Sequence, residues 1–246
     1  MGSDDIFKKN RLAKKSKDLA RKSANKAPLS KILIVCEGLK TEPNYFKELI
    51  EYYKLQTANV IDVTGDCGAS PMCVVRHAKE LQAKVNANGA PYDLIYIVID
   101  KDAHTDYMNA LDFIKRVKPS KTWFAINSVP CFEFWLLLHY TYTTKAYKNL
   151  PGNSSGNQLV RELKKHINGY EKGDKGIFMK TLNSLPNKDL QGVIDKAKKC
   201  QQAATSSNTD NPTTMVYFLV EKLLELNLSK TATKKNKSSL KKHEHL

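Results

Sequence analysis

The sequence predicts an α/β fold, in which helices flank a mostly parallel sheet and a helical carboxyl-terminal portion follows. Short apolar runs alternate with helical patterns over residues 31–140, and this order is typical of parallel sheets. The clearest run is Leu94–Ile99, which is nearly continuous in apolar, mostly β-branched residues. Such a run indicates a strand that is covered on both faces. After residue 140 the apolar residues recur mainly at helical spacing.

The first half of the chain contains four predicted strands, and a helical pattern follows each of the first three. The strands are predicted at 31–36, 59–64, 92–100 and 121–126, and the helices between them at 41–54, 71–85 and 106–118. A strongly apolar helix over Pro130–His139 follows the fourth strand. A loop rich in Thr, Asn, Gly and Ser then spans 141–157. Helical spacing predicts four later helices, at 158–167, 177–183, 190–204 and 213–227.

Two of these helices begin with residues that favour helix starts. Gly38 suits the tight turn that leads from the first strand into its helix. Thr41 is expected to cap that helix, and Glu42 lies in its first turn, where a carboxylate is stabilising. Ser70 is expected to cap the helix that starts at Pro71.

The composition is that of a globular protein without membrane segments. Of 246 residues, 41% are hydrophobic and 26% are charged. No apolar run approaches the ~20 residues of a membrane span, and the amino terminus lacks the apolar core of a signal peptide. The five cysteines are scattered, and Cys67 and Cys73 are too far apart for a paired zinc half-site. We therefore expect reduced thiols in the cytoplasm, rather than a disulfide framework or a zinc site.

The net charge of +15 is concentrated at the two ends of the chain. Residues 1–30 hold nine Lys/Arg against three acidic residues, and residues 230–246 hold six Lys against one acidic residue. Such ends either attract the phosphates of nucleic acid or remain solvated tails. The charge distribution and the pattern of strands and helices together divide the chain into four parts. These are a basic mobile arm (1–30), an α/β core (31–140), a helical portion packed on the core (141–229) and a Lys-rich disordered tail (230–246).

Acidic residues follow two of the predicted strands. Glu37 comes directly after the first strand, and Asp100 and Asp102 close the third. Because parallel strands end at one edge of the sheet, the three carboxylates should gather there. Close carboxylates repel unless a proton or cation lies between them, and Mg²⁺ or Mn²⁺ prefers oxygen ligands. Taken alone, the two aspartates are better explained as a polar turn; the three together favour a cation site for phosphodiester chemistry.

Three further features allow two interpretations each. Glu133 lies inside the apolar helix, where a carboxylate is costly unless it is paired or bound to a metal, although it can also stabilise the helix start. His139 is expected to pack or cap rather than to coordinate a metal. The glycine-rich turn 170–176 carries Lys172 and Lys175, which could contact a phosphate or simply remain solvated.

Three blocks of the sequence resemble the RloB-like family. They are VCEGLKTEPNYF (35–46), IDKDAH (99–104) and NSVPCFEFWLLLH (127–139), and the likeness extends over about residues 31–225. RloB-like proteins belong to the wider group with a Toprim-like, Rossmann-like fold. In that group a glutamate after the first strand and a DxD motif after a later strand bind Mg²⁺. The resemblance therefore implies that Glu37, Asp100 and Asp102 are metal-binding and catalytic residues.

Further residues complete the predicted site. Glu133 lies in a block that is distinctive of the family and is carried over as a further candidate catalytic residue. The candidate contacts to nucleic acid or phosphate are Lys40, Lys101, His104, Lys172 and Lys175.

The family resemblance implies an effector of bacterial or archaeal phage defence or abortive infection, acting with a co-encoded ATPase of the ABC/AAA type. The first hypothesis is a nuclease that uses Mg²⁺ or Mn²⁺ to cleave DNA or RNA, including tRNA. The alternative is a non-catalytic regulatory module that binds nucleic acid, a nucleotide or the ATPase. A nucleotidyl-transferring, primase-like enzyme ranks last, because no separate nucleotide-binding fingerprint is present. No membrane partner is expected, and a homo-oligomer stays open.

Overall fold

The computed structural model describes residues 30–55, 60–65, 70–87, 91–101 and 104–226. Within them, five strands form one sheet in the order β2-β1-β3-β4-β5. The first four are mutually parallel, and β5 is antiparallel to β4. The strands are β1 (Lys31–Cys36), β2 (Val60–Thr64), β3 (Leu94–Asp100), β4 (Trp123–Val129) and β5 (Thr213–Thr214). The predicted basic arm, apart from residue 30, and the predicted tail at 230–246 lie outside the described residues.

Eight α-helices flank the sheet in the part of the chain that the structure describes. They are α1 (Thr41–Tyr52), α2 (Pro71–Ala87), α3 (Tyr107–Arg116), α4 (Glu133–Leu138), α5 (Ser155–Lys164), α6 (Ile177–Asn183), α7 (Gln191–Ser206) and α8 (216–226). A 3-10 turn at Pro186–Lys188 connects α6 and α7. The predicted α/β class, with a mostly parallel sheet and a helical carboxyl-terminal part, is confirmed. None of the described helices combines the length and the hydropathy that crossing a membrane requires.

Strand β3 lies between β1 and β4 and is buried on both faces. Ile95, Ile97 and Ile99 contribute to a smaller core beneath α2 and α3. Tyr96 and Val98 point to the opposite face, where α1 and helices of the carboxyl-terminal part form a larger core. The continuous apolar sequence of β3 follows from this arrangement, because neither face of the strand meets water.

The structure differs from the sequence-based expectation in several places. Helix α5 begins at Ser155, inside the predicted loop 141–157, and it ends at Lys164 rather than at residue 167. Thr213–Thr214 forms strand β5 and pairs with Ser128 and Val129 of β4, so the predicted helix 213–227 begins later, at residue 216. Ser128 therefore lies inside β4, which extends beyond the predicted end at residue 126. Thr41 does not cap α1, because it is the first helical residue and its hydroxyl instead accepts a hydrogen bond from the Gly173 N–H.

The turn at 170–176 is fixed against the first two turns of α1. The Glu48 carboxylate accepts hydrogen bonds from the N–H groups of Gly176 (2.6 Å) and Phe178 (2.9 Å), and it thereby caps the start of α6. Asn44 Nδ2 donates to the Gly173 carbonyl at 3.2 Å. Gly173 has a φ of +88°, which is accessible to glycine without strain. The turn is thereby held beside the carboxyl edge of the sheet.

The expectation that His139 packs rather than binds a metal agrees with its surroundings. Its Nδ1 lies 3.0 Å from the Trp135 carbonyl oxygen, and since a carbonyl only accepts, Nδ1 carries the proton. The ring makes edge contacts with Trp135 and Tyr45 inside the larger core. Burial lowers the pKa of His139 to about 4, so the side chain is neutral near pH 7.

Candidate metal and phosphate site

A cleft of about 400 Å³ opens at the carboxyl edge of the sheet, and four carboxylates line it. Glu37 follows β1 and Asp100 ends β3, whereas Glu42 and Glu133 lie in the first turns of α1 and α4. They meet because parallel strands end on one edge, where the following helices also begin. The structure thus brings together three of the predicted acidic residues and adds Glu42. Asp102 lies outside the described residues, and its role stays a prediction.

Glu37 is tied to the end of β3 through both its main chain and its side chain. Its N–H donates to the Val98 carbonyl at 2.9 Å, and its Oε2 accepts a hydrogen bond from the Asp100 N–H at 3.0 Å. Its other oxygen, Oε1, lies 3.6 Å from Nε2 of His104. The carboxylate therefore has a fixed position between the ends of β1 and β3, with a titratable imidazole beside it.

Glu133 is almost fully buried, and its carboxylate is paired with a lysine. Its side chain is 3% exposed, and Oε1 lies 3.0 Å from Nζ of Lys172, whose own side chain is 56% exposed. Partial burial lowers the pKa of Lys172, but the attraction of Glu133 outweighs this effect and the pKa is raised overall. Lys172 therefore stays charged and neutralises a carboxylate that would otherwise be costly to bury.

Two of the other carboxyl groups hold their protons unusually tightly. Burial, reinforced by repulsion from Glu133, raises the pKa of Glu42 to about 7. Burial also raises the pKa of Asp100 well above its usual value, and repulsion from Glu42 and Glu133 adds to this effect. The cluster therefore contains more negative groups than one lysine can neutralise, and protons or a cation must balance the remainder.

Glu42 was predicted only as a first-turn helix residue, yet its carboxylate folds back over the strand-to-helix turn. A Cβ at position 38 would clash with both carboxylate oxygens of Glu42, so Gly38 leaves the room that this side chain occupies. The sequence signal for Glu42 as a cleft residue was the short interval between Glu37 and Glu42, with a glycine in between. That interval alone does not place Glu42 in the cleft, because its position depends on the direction in which α1 leaves the turn.

Cys131 is also part of this neighbourhood. Its Sγ, a carboxylate oxygen of Asp100 and one of Glu133 all lie within 4.8 Å of one another. The thiol is buried, and it faces two acids. Burial and these neighbouring acids raise the pKa of Cys131 well above its usual value, so the thiol is protonated near pH 7.

The five predicted contacts to phosphate fall into two groups. Lys40, His104 and Lys172 line the cleft. Lys101 does not line it, and instead its ammonium pairs with the exposed carboxylate of Asp210. Lys175 is exposed on the turn and also lies outside the cleft lining. A phosphate in the cleft would therefore first meet the side chains of the first group.

The chain matches the family model described as RloB-like protein over residues 32–223, which is most of its length. No curated protein and no solved structure matches it. The matched range contains every described carboxylate of the cleft together with Lys172.

Proposed function

This chain belongs to the RloB-like family, and we propose that it is a nuclease that uses Mg²⁺ or Mn²⁺ to cleave phosphodiester bonds in DNA or RNA. We further propose that it acts in phage defence with a co-encoded ATPase. The convergence of Glu37, Asp100 and Glu133 on one cleft carries this proposal, because a cluster of carboxylates at a sheet edge is suited to metal-assisted phosphoryl chemistry.

The donor set fits a hard divalent cation. Glu37 and Asp100 would hold it between adjacent strand ends, together with Asp102 as the resemblance implies. Carboxylate oxygens are the ligands that Mg²⁺ and Mn²⁺ prefer. Burial and the neighbouring acids raise the pKa of Asp100, and a bound cation would stabilise its charged form. When bound, the ion would activate water and neutralise phosphate charge.

The side chains around these carboxylates have separate tasks in the proposal. His104 lies 3.6 Å from Glu37 and is partly exposed, so it can exchange a proton with solvent or with a leaving oxygen. Lys40 is exposed at the cleft and attracts the phosphate backbone. The hydrogen bond from the Asp100 N–H fixes the orientation of Glu37 before substrate binds.

A cleavage assay tests this proposal. The purified protein, with and without the ATPase, would be given plasmid DNA, single-stranded DNA or tRNA in Mg²⁺, Mn²⁺ or EDTA. We expect metal-dependent cleavage that is lost in Glu37→Gln and Asp100→Asn. Asp112→Asn is the matched control, because Asp112 is an exposed acid on α3 and should leave cleavage unchanged.

The same assay distinguishes the non-catalytic alternative. If no metal supports cleavage even with the ATPase present, and nucleic acid is retained equally well in EDTA, the protein is a binding module. Full cleavage by the Asp100→Asn variant would contradict the proposed site even if the protein is a nuclease.

A further inference from the structure

A sulfur atom lies next to two of the carboxylates that line the cleft. The Sγ of Cys131 and carboxylate oxygens of Asp100 and Glu133 lie within 4.8 Å of one another. Cys131 is 6% exposed, and Glu133 is similarly buried. This group shares Asp100 with the proposed Mg²⁺ site, but it lies on the side of Asp100 that faces α4. Its mixed donors differ from the all-oxygen set that Mg²⁺ prefers.

A positive charge already lies against this group. The Lys172 ammonium is 3.0 Å from Glu133 Oε1, and it approaches from a side chain that is more than half exposed. The backbone of the turn is held separately, by hydrogen bonds of Gly173 with Thr41 and Asn44. The ammonium can therefore swing into solvent while the turn stays in place, which leaves room for another cation.

A buried hydroxyl beside the group has no hydrogen-bond partner within the described residues. Tyr170 is fully buried, and its hydroxyl is unpaired there. Burial, together with the negative charge of Glu133, Cys131 and Glu42, raises the pKa of Tyr170, so its hydroxyl lies within electrostatic range of these groups. A buried polar group without a partner is unfavourable, and a water molecule on a bound ion would supply that partner.

We propose that Asp100, Cys131 and Glu133 form a site for a thiophilic divalent cation of the Zn²⁺ class, which displaces the Lys172 ammonium. Three protein ligands and one water directed toward Tyr170 complete four-coordinate geometry. The metal–ligand bonds form as the Cys131 thiol and the Asp100 carboxyl group release their protons to solvent, and Lys172 keeps its own proton. Thiolate ligation selects Zn²⁺ over Mg²⁺.

This site has a consequence that rests on the proposed nuclease function. Because a cation in it takes up Asp100, it competes with the ion held by Glu37 and Asp100. Zn²⁺ should therefore inhibit Mg²⁺-dependent cleavage, and excess Mg²⁺ should relieve the inhibition only partly, since Mg²⁺ does not compete for sulfur.

Titration with Co²⁺, followed by optical absorption, tests the site directly. We expect a thiolate-to-cobalt charge-transfer band in the wild-type protein, its loss in Cys131→Ser, and its disappearance when Zn²⁺ is added. Cys200→Ser is the matched control, because Cys200 is also buried but lies on α7, and this variant should keep the band. A wild-type protein without the band, or a band that survives in Cys131→Ser, would overturn the proposal.

Two further variants keep the test decisive if Cys131→Ser does not fold. Glu133→Gln retains the thiol and should weaken Co²⁺ binding by about tenfold or more. Lys172→Met should strengthen it by about tenfold, since no ammonium must leave, whereas the surface control Lys180→Met should not. Unchanged affinity in both cleft variants contradicts the proposal. Because the readout is binding, a protein without nuclease activity would still give the band, and the two proposals fail separately.

Discussion

Two lysine–carboxylate pairs lie near the carboxyl edge of the sheet, and they differ mainly in the burial of the acid. The Glu133 side chain, paired with Lys172, is 3% exposed, whereas Asp210, paired with Lys101, is 53% exposed. Water can replace Lys101 as a partner of Asp210, but it cannot reach Glu133 in the same way. The Lys101–Asp210 pair is therefore an exchangeable surface contact, whereas the Lys172–Glu133 pair neutralises a carboxylate that water does not reach.

The largest effect expected from this difference concerns cleavage. Glu133→Gln removes a buried charge from the proposed site and should lower metal-dependent cleavage by about a thousandfold. Asp210→Asn removes an exposed charge outside the cleft and should leave the rate nearly unchanged. Single-turnover cleavage of the best substrate measures both rates, and equal losses would show that burial does not separate the two acids.

The buried His139 extends the comparison of buried and exposed groups to the pH dependence of stability. An unfolded histidine takes up a proton near pH 6.5, whereas folded His139 does so only near pH 4. Between these values the unfolded chain binds more protons, so stability falls as the pH falls, by up to about 3 kcal/mol from this residue. His139→Asn should reduce this slope in urea unfolding measured from pH 7 to pH 4.

The exposed His166, which stacks on Tyr140, provides the control for that measurement. His166→Asn should keep the wild-type slope, because it replaces an exposed side chain and leaves the buried His139 in place. If both variants have the wild-type slope, proton uptake by His139 does not control acid stability.

Removal of either lysine tests the two pairs directly. Lys172→Ala should lower the free energy of unfolding by about 2 kcal/mol, because it leaves Glu133 buried without a counter-charge. Lys101→Ala should change it by less than about 0.5 kcal/mol, as is usual for an exposed pair. Chemical denaturation at pH 7 measures both. Similar losses in the two variants would contradict the distinction.

The smallest expected effect is the coupling within each pair. In a double-mutant cycle, Glu133→Gln with Lys172→Met should give a coupling of about 1 kcal/mol, since the double variant leaves no unpaired charge. Asp210→Asn with Lys101→Met should give a coupling free energy near zero. Added salt should leave this value nearly unchanged, because water already screens the exposed pair. A coupling at the surface that equals the buried one would mean that Asp210 is shielded from water.

The sequence predicted the strands of the core closely, because their burial is local and continuous. Strand β1 has the predicted bounds Lys31–Cys36, and α6 has the predicted bounds Ile177–Asn183. The two-residue strand β5 was missed, since its pairing with β4 depends on residues about 85 positions earlier in the chain. Sequence periodicity reports which residues are buried, but not which distant element covers them.

The candidate site was predictable to a similar extent. Strand ends and family resemblance together gave Glu37, Asp100 and Glu133, and these acids share one cleft. Cys131 was predicted only as one of five scattered, reduced thiols, because its position two residues before Glu133 does not show that both side chains face Asp100. Asp102 remains a prediction from the resemblance.

Because the 170–176 turn is anchored on α1, a newly synthesised chain completes the cleft only after this turn has been made. The contacts of Gly173 with Thr41 and of Gly176 with Glu48 join residues more than 125 positions apart. A ribosome that has released only β1 to β4 and α4 has exposed the acids but not Lys172, which neutralises Glu133. The cleft is thus completed late in synthesis, so a truncated product ending before this turn would contain the carboxylates without their counter-charge.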